Sequence, residues 1–184
     1  RPAYNPVADA GRKGGSGMSD VNNTNDRSLD DLDDQQNKTD SEEYVTALID
    51  GQLFGIPVLS VQDVLGPQTL ANIPLAPPEV AGSLNLRGRI VTAIDLRKRL
   101  GMDPADREKS MSIVVDHHGE LYSLLIDEVG EVLQVPMQNY ERNPATLDPR
   151  WRDVSQGIFR LDGRLLVILQ VQRLLDIIKV AAAA

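Results

Sequence analysis

An internal duplication is the feature of this chain that most constrains its fold. Residues 50–65, DGQLFGIPVLSVQDVL, align without a gap with residues 118–133, HGELYSLLIDEVGEVL. Residues 86–100, LRGRIVTAIDLRKRL, align in the same way with residues 161–175, LDGRLLVILQVQRLL. Both alignments place glycine on glycine at one turn position and match most of the apolar positions. We therefore predict that the two halves of the chain form the same structural unit.

Both copies have the pattern of short strands joined by tight turns. Apolar runs of strand length are separated by the turn pairs Asp50-Gly51, Arg87-Gly88, His118-Gly119 and Asp162-Gly163. Helical periodicity is confined to residues 96–100 and to the region of residues 174–178. We therefore predict an all-β protein with short helices, in which two SH3-like five-stranded barrels pack together.

The ends of the chain differ in composition from its middle. Residues 1–17 end in GRKGGSG before Met18, which predicts an appended leader. Residues 18–42 hold most of the acidic excess behind the net charge of −8 and few large apolar side chains, which predicts a disordered tail. The folded domain is expected over residues 43–180, with two barrel subdomains that split and cross near residues 100–112.

Composition argues against several functional classes. The chain has no cysteine, which excludes disulfides and cysteine-ligated zinc. It lacks an apolar run long enough to span a bilayer and lacks a secretory signal, so we expect a cytoplasmic protein without direct membrane insertion. An acidic body with 4% aromatic residues lacks the basic groove and stacking side chains of a nucleic-acid binder.

One turn breaks the symmetry of the repeat. Arg87 aligns with Asp162, and Asp-Gly is an ordinary pair for a two-residue hairpin turn, whereas Arg-Gly is not. The turn needs Gly88 but does not need Arg87. An exposed arginine often contributes little, yet arginine is enriched at binding hot spots. From the residues alone an exposed turn arginine is the simpler interpretation, and a contact between Arg87 and a partner stays open.

The same region resembles the CheW family, the adaptor proteins of bacterial chemotaxis arrays. The resemblance is carried by NLRG at residues 85–88, IV at 90–91, IDLR at 94–97, FGIP at 54–57 and IDEVGEVL at 126–133, while Thr92-Ala93 departs from the Pro-Val common in the family. It extends over about residues 43–178. It implies two packed SH3-like barrels without catalytic activity or cofactor. The implied partners are the regulatory domain of the histidine kinase CheA and the cytoplasmic tip of methyl-accepting chemoreceptors.

The resemblance also implies where these partners bind. Arg87 is expected on the receptor-side or array-supporting surface with Asp63 nearby, and the kinase is expected to contact mainly the first barrel. The apolar residues that follow the first hairpin are expected mostly in the core, with one or two of them lining a groove between the barrels: Val58, Leu59, Val61 and Val64. The predicted partner-binding residues are Arg87, Asp63, Val61, Val64, Asn85, Leu86 and Gly88.

Other candidate sites are weaker. Asp63 and Glu131 occupy equivalent repeat positions, but two carboxylates in different barrels have no reason to converge for acid–base catalysis. His117 and His118 are adjacent, so their side chains are expected to point in opposite directions, and no third metal ligand is visible. Trp151 is expected to cover the second barrel. We therefore predict neither an enzyme nor a metal site.

Three alternatives remain beside a free-standing adaptor, and one of them is an enzyme whose site the sequence does not reveal. The same domain could be a module of a larger kinase or of an adaptor–receiver protein in a related pathway. A small-barrel nucleic-acid binder fits the strand pattern but not the charge.

Overall fold

The computed structural model describes residues 40–176. The predictions for residues 1–17 and for nearly all of the acidic tail lie outside the described residues, as does the end of the predicted domain beyond residue 176. The first strand begins at Ser41, two residues before the expected start of the domain, and its first residues already pair with Pro136, Val135 and Gln134.

The described residues are mainly β-strands with short helical segments, and the predicted all-β class is confirmed. The strands are β1 Ser41–Ile49, β2 Gln52–Pro57, β3 Val61–Leu65, β4 Val80–Leu86, β5 Arg89–Asp95, β6 Met111–His117, β7 Glu120–Ile126, β8 Glu128–Pro136, β9 Tyr140–Glu141, β10 Ser155–Leu161 and β11 Arg164–Leu169. The helical segments are α1 Leu96–Arg99, α2 Pro149–Arg152, the 3-10 turns Val58–Ser60 and Met137–Asn139, and residues 171–176.

The strands form a six-stranded sheet in the order β8-β1-β2-β11-β10-β9 and a five-stranded sheet in the order β3-β6-β7-β5-β4. Under the sequence repeat, β1 and β2 correspond to β6 and β7, while β3, β4 and β5 correspond to β8, β10 and β11. The two sheets therefore repeat one strand order. Each sheet combines the first hairpin of one half with the later strands of the other half.

The exchange of hairpins changes where the chain passes between the sheets. It passes from β2 to β3 through Val58–Ser60 and from β7 to β8 through Asp127. The expected crossing near residues 100–112 is not at that position, because those residues connect β5 and α1 to β6 within the five-stranded sheet. They form the covalent link between the two copies of the repeat.

The strand register is the same in both copies. In the six-stranded sheet β11 runs parallel to β2 with Val167 opposite Phe54, and in the five-stranded sheet β5 runs parallel to β7 with Thr92 opposite Tyr122. The alignment matches Phe54 with Tyr122 and Val167 with Thr92. The duplication therefore extends from the sequence to individual cross-strand pairs.

Alternation along the strands separates the apolar residues into three cores. A shared core lies between the sheets and contains buried residues from both, among them Phe54, Ile94, Leu124 and Val167. A second core belongs to the six-stranded sheet, and a third, with Leu84, Val91 and Ala93, to the five-stranded sheet. In β7, for example, Leu124 faces the shared core, and Leu125 faces the core of its own sheet.

Candidate functional site

The β4–β5 turn holds an arginine in a backbone conformation that favours other residues. Arg87 has φ 51° and Gly88 has φ 83°, as in a type I′ turn, and the Gly88 N–H donates to Asn85 Oδ1 at 2.8 Å. A left-handed conformation costs a residue with a side chain about 1 kcal/mol or more, and asparagine, aspartate and glycine tolerate it best. The geometry of the turn therefore does not explain why residue 87 is an arginine.

The side chain of Arg87 forms an ion pair across the five-stranded sheet. Its Nη2 lies 3.1 Å from Asp63 Oδ2. Asp63 belongs to β3 and Arg87 follows β4, and these are the first and last strands of that sheet. The ion pair thus links the two edges of the sheet where it closes toward a barrel. The Asp63 side chain is 24% exposed and that of Arg87 is 82% exposed, so most of the guanidinium remains open to solvent.

The second copy of the repeat has no counterpart to this ion pair. The residues equivalent to Asp63 and Arg87 are Glu131 and Asp162, which are both acidic. The five-stranded sheet therefore has an ion pair between its first and last strands, and the equivalent positions of the six-stranded sheet do not. An exposed pair of this kind contributes at most about 1 kcal/mol to stability. The predicted proximity of Arg87 and Asp63 is seen in the structure, and a contact with a partner stays a prediction.

The other predicted partner-binding residues differ in exposure. Val61 packs against the shared core, and Leu86 packs against the core of the five-stranded sheet. Val64 was expected mostly in the core but is 41% exposed, because it lies in β3 at the edge of the five-stranded sheet. Leu59 was expected mostly in the core, but its side chain is almost fully exposed, because it lies in the 3-10 turn that carries the chain between the sheets. These positions combine an apolar surface with the Arg87 turn.

The two repeat-equivalent carboxylates do not form a catalytic pair. Asp63 lies in β3 of the five-stranded sheet, while Glu131 lies in β8 of the six-stranded sheet. Asp63 is engaged by Arg87 and by the backbone N–H of Val64 at 2.9 Å.

A second ion pair, which the sequence analysis missed, joins the sheets at the β7–β8 crossing. Arg97 of α1 donates to both carboxylate oxygens of Asp127, at 2.8 Å from Nε and 2.6 Å from Nη2. Asp127 also accepts the backbone N–H of Asp50 in the β1–β2 turn at 2.7 Å. The hydrogen bonds from Arg97 are the main cause that holds the pKa of Asp127 below its usual value. Both residues lie in the quoted motifs IDLR and IDEV, but their separation of 30 residues gives no local signal of the contact.

Trp151 covers the shared core rather than one barrel. Its ring contacts Phe54 edge-on with ring centroids 5.3 Å apart, and its Nε1 donates to the carbonyl of Leu100 at 3.2 Å. Phe54 lies in the exchanged first hairpin, and Leu100 follows α1 at the end of β5. The expectation of a lid on the second barrel is therefore corrected, because the hairpin exchange places Phe54 in the six-stranded sheet while Leu100 follows β5 of the five-stranded sheet, so Trp151 contacts residues from both sheets.

The two histidines are closer together than the sequence analysis expected. Their ring centroids are 4.2 Å apart, and Asp176 supplies a carboxylate 3.1 Å from His117 Nε2. The argument from strand alternation fails because His118 leaves the strand and takes φ 54° in the β6–β7 turn. A potential third metal ligand is therefore present in the structure.

The described helices do not include a membrane-spanning one. Within residues 40–176, every helical segment is too short or too polar to cross a bilayer.

Fold and site together define a double-barrel β domain whose most distinctive feature is an exposed charged turn. Comparison with family models matches the CheW-like domain over residues 43–179. The chain thus belongs to the CheW-like domain family. This membership confirms the resemblance carried by the NLRG, FGIP and IDEVGEVL segments.

Individual relatives agree with the family match. The chain is 29% identical over 133 residues to a probable chemotaxis protein CheW from Rhizobium etli, covering 72% of this chain and 86% of that protein. It is 26% identical to the protein PilI of Pseudomonas aeruginosa, covering 69% of this chain and 75% of that protein. The crystal structure of the scaffolding protein TtCheW from Thermoanaerobacter tengcongensis superposes with a TM-score of 0.66 at 28% identity, covering 73% of this chain and 92% of that one.

Proposed function

We propose that this protein is a non-catalytic cytoplasmic adaptor that couples methyl-accepting chemoreceptors to the histidine kinase CheA in membrane-associated signalling arrays. The observation that carries the proposal is Arg87, which occupies an unfavourable turn conformation while leaving most of its guanidinium exposed. The family supports the same function, since the relatives include several proteins named chemotaxis protein CheW and a solved scaffolding protein.

The proposed mechanism is geometric. One surface of the double barrel holds the regulatory domain of CheA, and another, including the Arg87 turn, holds the cytoplasmic tip of a receptor. Simultaneous occupancy transmits the state of the receptor only if the two kinase states make different contacts with the adaptor. Individual contacts of modest strength suffice in an array, because linked binding events raise the effective concentration.

The roles proposed for individual residues follow from their exposure. Arg87 offers a guanidinium fork that can bind a receptor carboxylate while Asp63 orients it. Val64 points to the opposite face of β3 from Asp63 and adds exposed apolar contact area at this edge of the sheet. Asn85 and Gly88 shape the turn, whereas Leu86 packs against the core of the five-stranded sheet and Val61 against the shared core.

We expect Arg87→Asn to weaken binding of a receptor-tip helical hairpin by about tenfold or more, as at a hot-spot arginine. The free energy of unfolding should change by no more than about 1 kcal/mol, because an exposed ion pair contributes little and because Asn-Gly suits the type I′ turn. Titration calorimetry with the receptor hairpin and separately with the kinase regulatory domain measures binding, and thermal unfolding measures stability.

Arg89→Gln is the matched control. Arg89 lies in the same hairpin, is exposed and donates to the carbonyl of Gly119, and its charge is shared by the repeat position Arg164. Its replacement should leave receptor binding within about twofold of the original. Equal binding by Arg87→Asn and the original protein would remove Arg87 from the interface. Failure of the original protein to bind either probe would refute the adaptor function itself.

A second candidate function is the same coupling role in a related signalling pathway. The relative named PilI favours it, because a protein with a different name shares the domain. Titration with receptor hairpins of different sequence distinguishes the two functions, since the hairpin that this protein binds most tightly identifies the class of receptor that it serves.

A further inference from the structure

We propose that His117, His118 and Asp176 form a binding site for a divalent transition-metal ion of the zinc type. His117 is the last residue of β6, His118 is the first residue of the β6–β7 turn, and Asp176 lies in the helical residues 171–176. The site shares no residue with those assigned to the adaptor function and does not depend on that function.

The backbone of the turn brings the three side chains together. With φ 54°, His118 leaves the alternation of the strand, so its ring lies beside that of His117 instead of on the opposite face. His117 is 5% exposed and its Nε2 lies 3.1 Å from Asp176 Oδ1. One potential ligand atom from each of the three residues lies within 4.8 Å of the other two.

This spacing suits a tetrahedral ion after small side-chain rotations. Bonds of about 2.0–2.1 Å in a tetrahedral zinc site place neighbouring ligand atoms about 3.4 Å apart. The His117–Asp176 separation already has that scale. The exposed His118 and the half-exposed Asp176 can adjust without disturbing a core. The fourth position faces solvent and is suited to a water ligand.

The ligand types determine which ions fit. Two imidazoles and one carboxylate suit zinc, nickel, cobalt and copper, whereas magnesium and calcium prefer all-oxygen sites. A hydrogen bond between His117 and Asp176 alone would need only two of these residues. The ring of His118 against that pair is the observation that adds a third ligand. These are also the only two histidines in the chain, so imidazole binding of a metal is confined to this place.

Metal binding would join two distant parts of the chain. His117 and Asp176 are 59 residues apart, and the ion would fix the helical residues 171–176 to the β6–β7 turn of the five-stranded sheet. Because the unfolded chain does not hold the three ligands together, the ion binds mainly the folded state and should raise the melting temperature.

The test is a titration of the full chain with zinc chloride, followed by calorimetry and by NMR of the two imidazole rings. We expect one ion per chain, shifts of both histidine spectra and a higher melting temperature. Asp176→Asn and His118→Asn should each weaken zinc binding by at least about tenfold. Asparagine is chosen at position 118 because it tolerates the left-handed conformation, so the turn is retained.

Asp116→Asn is the matched control for charge. Asp116 lies in β6 next to His117, its carboxylate accepts the Gly119 N–H of the β6–β7 turn, and it is not a member of the cluster. The Asp116→Asn variant loses the same charge as the Asp176→Asn variant, but its zinc affinity should stay within about threefold of that of the original protein. The proposal is overturned if neither histidine spectrum shifts with zinc up to about 1 mM. Equal affinities of the Asp176, His118 and Asp116 variants would also overturn it, by placing the ion elsewhere.

Discussion

Phe54→Ala is expected to lower the free energy of unfolding by about 3–5 kcal/mol. The Phe54 side chain is fully buried in the shared core between the sheets and meets Trp151 edge-on. Removing the ring leaves a cavity that both sheets line. Urea unfolding, followed by far-UV circular dichroism and by the fluorescence of the single tryptophan, measures the loss.

The same experiment tests whether the two barrels unfold together. Because the shared core contains residues of both sheets, the two signals should change at the same urea concentration in the original protein. Ile90→Ala is the control, since Ile90 is 72% exposed and its loss should cost no more than about 0.5 kcal/mol. Separate transitions for the two signals, or a loss below about 1 kcal/mol for Phe54→Ala, would contradict the role of the shared core.

The second large effect on stability is expected at the ion pair between Arg97 and Asp127, where the chain passes from β7 to β8. Asp127→Asn should lower the free energy of unfolding at neutral pH by about 2 kcal/mol, since it weakens hydrogen bonds to a largely buried guanidinium. The Arg97 side chain is 15% exposed, so it would lose its charge partner in a poorly solvated position. Urea unfolding at several pH values measures the difference from the original protein.

The pH dependence of this difference has a defined direction. Hydrogen bonds from Arg97 lower the pKa of Asp127 in the folded protein, so the ionised carboxylate binds protons less readily there than in the unfolded chain. The stabilisation is therefore complete above the ordinary aspartate pKa of about 4 and decreases as the pH falls below it. A difference between variant and original that stays constant to strongly acidic pH would contradict the assignment.

Asp148→Asn provides a matched control for the charge change. Asp148 pairs with Arg150, and hydrogen bonds from Arg150 likewise lower its pKa. The Arg150 side chain is 57% exposed, against 15% for Arg97, and the Asp148–Arg150 pair lies within one helical turn, so water replaces its interactions more readily. Its loss should be clearly smaller than that of Asp127→Asn.

The strands and turns were predictable because their signals are local. Apolar alternation and glycine turns marked the hairpins, and the gapless repeat indicated two equivalent units. The assignment of hairpins to sheets was not local. Both copies have the same register, so residues around Phe54 and Tyr122 fit either sheet equally well.

The connections decide which sheet each hairpin joins. For β8 to pair within its own half, the chain would have to return from β7 across β6, a distance of two strand spacings, or about 9.5 Å. The single residue Asp127 between these strands allows a span of only about 7 Å. The short connection therefore sends β8 to the neighbouring sheet, where it pairs with β1.

The same distinction between local signals and contacts made only by the fold applies to the candidate sites. The Arg87 turn was found because a repeat exposes an exception to its own pattern, and Asp63 was associated with it through the family motif. The Arg97–Asp127 pair and the histidine cluster depend on chain segments that only the fold brings together. In the histidine cluster, one left-handed residue at position 118 also reversed the direction expected from strand alternation.

The exchanged hairpins make the halves of this chain interdependent. A fragment that ended in the link at residues 101–110 would carry the first hairpin of one barrel and the later strands of the other, with open strand edges on both. Two identical fragments could satisfy all of these edges only by trading hairpins with each other. The natural chain is thus geometrically equivalent to a domain-swapped homodimer whose subunits have been fused, and splitting it at the link would yield pieces that depend on reassembly to fold.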